Sequence, residues 1–292
     1  MGAAESRQGR GIDQDHDDQE KKKGESSTGS GSGTALAVGA AVGTALLAVA
    51  WGVSRYRSND SDDRDQVPIT NYFQDLPDVE IQKRMKAIGE LVQLHSPHFI
   101  CFQLSTFRPV DVISAPLGNS KLGRELSVTE TKVGSNKSLV VATSHLKSSC
   151  ADPNDPNSQY HQFKRERLLQ AKEALTILQK YLNVIFCGDM SWNEKKDGEF
   201  PLPDGWVDAW TKLKGEEKGY TFDTKSNEML NGNYPHFRMR SDRILCNLKG
   251  FRLDNIEIIG KDRIPDLSYQ RNKKMLPVLP SDHYGLLLTI CT

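Results

Sequence analysis

The sequence has no net charge: 38 basic and 38 acidic side chains balance, with histidine counted as neutral. That excludes a chain that grips nucleic acid through a broad basic field, and leaves only a small local site for any polyanion. There is also no C-x-x-C pair. The five cysteines, Cys101, Cys150, Cys187, Cys246 and Cys291, are odd in number and widely spaced. They fit a reducing compartment and supply neither a disulfide framework nor a zinc site. Histidine is scarce too, with seven in 292 residues, so one beside a strand stands out. The length suits one large domain or two small ones.

Residues 1–33 have few apolar side chains and are rich in Gly, Ser, Asp, Lys and Gln. They cannot bury enough surface to offset the entropy of ordering, and read as a disordered polar tail. Met1-Gly2-Ala3-Ala4-Glu5-Ser6 fits the loose N-myristoylation pattern, which chance often produces. Residues 35–53 carry no charge and contain Gly39-x-x-x-Gly43. Residues 34–53 read as an apolar helix, long enough to span a bilayer. Ala and Gly insert only marginally, however, so a low-complexity helix or targeting remnant competes with a membrane span. Residues 54–66 are polar and acidic and read as a linker, which places the folded domain at 67–292.

Within that domain, Ile81, Met85, Ile88 and Val92 recur at helical spacing, ended by Ser96-Pro97, with a short apolar strand at Phe99 to Phe102. Ser127 to Val133 and Leu139 to Ser144 read as a hairpin, followed directly by His145. A helix with an apolar face of Phe163, Leu168, Ala171, Leu175, Leu178 and Leu182 then returns the chain to Val184-Ile185-Phe186-Cys187-Gly188-Asp189. Four apolar residues before Gly-Asp suit a buried strand that leaves Asp189 at its end. Strand, crossover and strand make a parallel pair, so His145 and Asp189 should share one sheet edge. Asp242 precedes the strand Ile244 to Leu248, and Asp282-His283 precede the strand Leu286 to Ile290. The charged stretch 261–275 reads as a solvated loop.

His145, Asp189, Asp242 and Asp282-His283 are thus four polar clusters, each beside a strand. Any one of them reads equally well as a capped turn or a surface charge. Together they supply what phosphodiester hydrolysis requires: a group for the water, groups for the phosphoryl oxygens, and carboxylates for a hard cation.

G-D-M-S-W at 188–192, S-D-R-I at 241–244 and S-D-H at 281–283 resemble the endonuclease/exonuclease/phosphatase superfamily. G-R-E-L at 123–126, V-V-A-T-S-H-L at 140–146, F-P-L-P-D-G-W-V-D at 200–208 and L-P-V-L-P-S-D-H-Y-G-L-L-L-T at 276–289 are similar, more narrowly, to plant 5′-tyrosyl-DNA phosphodiesterases. The resemblance implies an α/β fold, an α+β four-layer sandwich of two mixed β-sheets packed face to face with flanking helices. It also implies a substrate, DNA 5′ ends carrying a phosphotyrosyl adduct left by topoisomerase II, and a nuclear location. By resemblance Asp189 orients the attacking water, His283 stabilises the phosphoryl charge and Asp242 holds the imidazole. Ser191 stands at the position that helps place water or phosphate, His145, Ser148 and Asn71 contact phosphate, and Asp282 supports a metal. The implied cofactor is Mg²⁺, with Mn²⁺ as the alternative.

Three departures count against the resemblance. The family's metal-binding glutamate should follow Gln103, where this sequence has Leu104; Ser191 replaces an asparagine; and Asn71 sits in a scrambled motif. The interval from Phe102 to Gly123 is short, as though intervening strands were absent and the domain partly truncated. Leu104 motivates a rival reading, a catalytically impaired binding protein. Residues 35–53 motivate another, a membrane-tethered phosphoesterase with a membrane-associated rather than nuclear location.

Overall fold

The computed structural model describes residues 46–51, 79–102, 113–118, 124–133, 137–148, 158–230 and 237–292. The polar tail 1–33, the acidic linker 54–66, Asn71 and Leu104 lie outside the described residues. The first half of the domain contributes β1 (Leu46–Trp51), α1 (Ile81–His95), β2 (Phe99–Phe102), β3 (Ile113–Pro116), β4 (Glu125–Val133) and β5 (Lys137–Ser144). Then come α2 (Ser158–Leu178), β6 (Asn183–Asp189), α3 (Glu194–Asp197), β7 (Val207–Asp208), α4 (Ala209–Lys214), β8 (Phe222–Asp223) and β9 (Arg238–Met239). The chain finishes with β10 (Asp242–Leu248), β11 (Arg252–Ile259), β12 (Ser268–Arg271), β13 (Lys274–Pro277) and β14 (Gly285–Cys291).

Two mixed sheets organise these elements. One has the order β11-β14-β1-β2 and the other β3-β4-β5-β6-β10-β7. Alternation along each strand sends one set of side chains between the sheets and the other outward. Val141, Ile185, Cys187, Ile244 and Cys246 of the larger sheet meet Cys101, Ile256, Leu286, Leu288 and Ile290 of the smaller one in a shared core. The outward residues Val140, Ala142, Val184, Phe186 and Leu245 pack under Ala171, Ala174, Leu175 and Leu178 of α2. On the opposite outer face, Ile88 of α1 packs on Ile259 and Leu287. The layers therefore run helix, sheet, sheet, helix, the sandwich that the resemblance implies.

The strand of the Val184 stretch pairs in parallel with β5 and antiparallel with β10, which sets Asp189 opposite Asp242. Several expectations need correction. Leu46–Trp51 of the apolar segment is not helical: it is a central strand, parallel to β2 and antiparallel to β14, and lies upstream of the expected domain start at residue 67. An uncharged run paired with a strand on either side can have the same composition as a membrane helix. No helix among the described residues is long and apolar enough to cross a membrane. Within the short interval from Phe102 to Gly123 the described residues add one strand, β3, which pairs with β4 as a sheet edge. Part of the charged stretch 261–275 forms the hairpin β12–β13, turned through Asn272 and Lys273 at φ 47° and 62°. Leu182 lies past the end of α2 and is 75% exposed, so it is not part of that helix's buried face.

Candidate active site

The polar clusters converge because backbone bonds join the strand ends. The Leu146 N–H donates to the Asp189 carbonyl (3.0 Å), Met190 N–H to the Ser241 carbonyl (2.9 Å), and Tyr284 N–H to the Thr221 carbonyl (2.8 Å). Gly188, at φ 140°, is the penultimate residue of β6, next to Asp189. Ser191, at φ 47°, turns its backbone N–H (2.7 Å) and hydroxyl (3.2 Å) back onto Asp189 Oδ1. The Ser241 hydroxyl donates to the same oxygen at 2.5 Å. His145 Nε2 lies 3.3 Å from Asp189 Oδ2.

Opposite stands His283, whose Nδ1 is 2.7 Å from Asp242 Oδ2. The Phe222 ring tilts at 56° against the imidazole with centroids 5.0 Å apart. Thr221 Oγ1 accepts from the Asp242 N–H at 3.0 Å. Asp189, Asp242 and His283 are all buried, and each offers an atom within 4.8 Å of the others. The smaller sheet supplies His283 and the larger one both aspartates, so the cluster sits at the rim shared by the two sheets.

Burial and neighbours push these groups in opposite directions. Burial raises the Asp189 carboxyl, but His145, His283 and the hydrogen bonds from Ser241 and Ser191 outweigh it and bring the pKa down to about 2. Burial lowers His283, but the Asp242 carboxylate, its hydrogen bond, and then Asp189 and Asp282 outweigh that and raise the pKa to about 10. His145 is lowered to about 4, by burial first, with Asp189 opposing and Arg124 and His283 adding to it. At neutral pH the site thus holds an ionised Asp189, a neutral His145 and a cationic His283. Environments that drive two titratable groups apart are the usual arrangement for separate acid and base roles.

Other predicted positions fall differently. Ser148 continues the segment after His145. Asp282 is outside the three-residue cluster: its Oδ1 accepts from the Ser281 hydroxyl at 3.2 Å and lies 3.8 Å from the Arg84 guanidinium. The strand ahead of α1 in the sheet is Leu46–Trp51, which contains no asparagine. Sequence reasoning gave no role to Ser241, Thr221, Phe222 or Arg84. Arg84 had a visible signal, since it occupies the apolar face of α1 four residues before Ile88.

Mg²⁺ takes mainly oxygen ligands in near-octahedral geometry. Here Asp189 Oδ1 already accepts three hydrogen bonds and its Oδ2 faces His145. Asp242 Oδ2 is held by His283, and a protonated imidazole cannot ligate a metal. Asp242 Oδ1 is the one carboxylate oxygen of the cluster that is buried without a hydrogen-bond partner. The cluster is thus compact enough for a cation but offers it a single uncommitted carboxylate oxygen, with waters or substrate oxygens needed for the remaining positions of Mg²⁺.

No family model and no curated protein matches the chain. Solved structures do. TDP2 from D. rerio, complexed with a single-strand DNA product, matches with a TM-score of 0.60 at 19% identity, covering 85% of this chain and 100% of that one. TDP2 from C. elegans gives 0.59 at 18%, over 85% and 75%. The human Nocturnin catalytic domain, with a bound sulfate, gives 0.52 at 14%, over 85% and 94%. A Bacteroides thetaiotaomicron protein described by its family name gives 0.52 at 16%, over 85% and 98%. Identities this low speak to architecture, and the architecture of this chain is the fold of the endonuclease/exonuclease/phosphatase superfamily.

Proposed function

We propose that the chain is a phosphodiesterase that hydrolyses the bond between a DNA 5′ phosphate and a tyrosyl oxygen. The observation that carries this reading is the opposed pair, Asp189 ionised and His283 cationic, facing each other at one buried rim. Water held by the Asp189 carboxylate attacks phosphorus and passes its proton to that carboxylate. The His283 imidazolium, held by Asp242, meets the negative charge on the phosphoryl oxygens. The phosphorus–oxygen bond to tyrosine then breaks, giving a 5′ phosphate and a phenolate. A phenol of pKa about 10 leaves far more readily than an alcohol, which suits a site whose base is weak and whose main resource is fixed charge. The single-strand DNA product bound to the D. rerio protein supports a nucleic-acid substrate here.

The choice of Mg²⁺ as cofactor rests on the resemblance alone, and no step above is routed through it. Leu104 and the committed carboxylate oxygens favour a second reading, a protein that binds such ends without cleaving them. The test is cleavage of a 5′-tyrosyl oligonucleotide by the full chain, with and without Mg²⁺, beside His283→Ala. Release of tyrosine that depends on His283 supports hydrolysis. Tight binding with no release favours the second reading, and neither binding nor release sinks both. The nuclear location implied by the resemblance is a separate proposal, checked by fractionation; recovery in membranes after carbonate extraction would count against it.

A further inference from the structure

α1 carries a buried cation on its apolar face. Arg84 is 1% exposed, next to Met85 and one turn before Ile88. Its Nε donates to the Pro280 carbonyl at 3.3 Å, and its terminal nitrogen lies 3.8 Å from Asp282 Oδ1. The turn that it touches is fixed from the other side as well: Asn227 Nδ2 donates to the carbonyls of Ser281 (3.0 Å) and Asp282 (3.2 Å). Within the turn, the His283 N–H donates to Ser281 Oγ at 3.2 Å. Three successive carbonyls just before His283 are therefore each held by a buried side chain.

We propose that Arg84 is a positioning residue, a buried guanidinium that clamps the Pro280–His283 turn through the Pro280 carbonyl and the Asp282 carboxylate, so that the His283 ring meets Asp242. This rests on reading His283 as a site residue. Isolated buried ion pairs contribute little net stability, and apolar replacements of similar volume are often tolerated. A charge pair that ends one residue from the imidazole is better explained by what it holds in place. Burial lowers the Arg84 pKa, with Asp282 opposing, the mark of a cation kept in the interior by its carboxylate.

The test uses the full chain as Arg84→Met, Arg84→Lys, Asp282→Asn and the Arg84→Met/Asp282→Asn double variant. One readout is independent of catalysis: the slowly exchanging Nδ1–H proton line of His283 in its bond to Asp242, assigned with His283→Gln. Arg84→Met should lose or broaden this line while retaining a dispersed methyl spectrum, and Arg84→Lys should keep it. In turnover of the tyrosyl oligonucleotide, kcat should fall about 10- to 100-fold while KM changes less than about twofold. The double variant should fall no further than Arg84→Met, because both residues act through one contact. A folded Arg84→Met with the His283 line unchanged overturns the proposal. If Arg84→Met does not fold, Arg84→Gln, which keeps a donor without the charge, takes its place. If both neutral variants unfold while Arg84→Lys folds, the role is purely structural and the proposal is again overturned. A wild-type chain without turnover sinks the phosphodiesterase reading alone, since the proton line still decides for Arg84.

Discussion

Replacing Asp242 by Asn should change how stability depends on pH, not only its size. Asp242 is fully buried, and its Oδ2 holds His283 Nδ1 at 2.7 Å. The folded state raises His283 from 6.5 to about 10. A raised pKa means that the folded chain holds a proton which the unfolded chain releases between those two values. The stabilisation is fully present below pH 6.5 and is lost as pH rises toward 10, at about 1.4 kcal/mol per pH unit. Burial pushes the Asp242 carboxyl up and so offsets part of this, which leaves the expected size near the roughly 3–5 kcal/mol lost when one partner of a buried pair is removed. Urea unfolding of the full chain, followed by tryptophan fluorescence at several pH values from 6 to 10, measures this directly. Wild type should lose stability across the window. Asp242→Asn should start about 3 kcal/mol or more lower at pH 6 and show a flatter dependence, so that the gap closes toward pH 10. Two parallel curves would refute the reasoning, since a constant gap means that Asp242 does not hold the proton on His283.

Ser241→Ala removes one of three hydrogen bonds to Asp189 Oδ1 and should cost about 1–2 kcal/mol, with the acid limb of activity moving to higher pH; an unmoved limb would show that Ser241 does not help to keep Asp189 ionised. Gly219 sits at φ 60°, and an added Cβ would meet Trp210 Cε2 at 2.4 Å. Gly219→Ala should therefore lower stability by about 2 kcal/mol or more, read by chemical denaturation. Asp208 holds both Arg240 and Arg243 at 2.9 Å. Asp208→Ala, which leaves the buried Arg243 with Glu194 as its remaining carboxylate at 3.0 Å, should cost about 3 kcal/mol in the same assay. Millimolar Mg²⁺ should leave the melting temperature within about 1 °C in wild type and raise it by more in Leu104→Glu; a clear rise in wild type would mean that the chain holds the ion without that glutamate.

The legible parts of the sequence were those where burial on both faces leaves an unbroken apolar run. Val184 to Cys187 and Leu286 to Ile290 are such runs, and the polar residues at their ends came together as their placement implied. Leu46–Trp51 was illegible because its strand character comes from β14 and β2, more than forty residues away, while its own composition suits a helix equally well. The β12–β13 hairpin turns through Asn272-Lys273 without the Asn-Gly signal that marks such turns. Ser241 lay in plain view beside Asp242, but nothing in a sequence says that a hydroxyl will aim across a strand pair at Asp189. Arg84 needed only the question of why a cation stood on an apolar face.

In the smaller sheet the first described strand lies beside the last described one: Leu46–Trp51 fills the slot between β2 and β14, with Leu46 opposite Ile290. On the ribosome that strand must wait until Gly285–Cys291 has been made before its antiparallel partner exists, and His283 emerges only just ahead of β14. Folding of the sheet and completion of the site are thus tied to the arrival of one strand, because a nascent chain that has not yet released β14 lacks the strand that lies between β11 and β1.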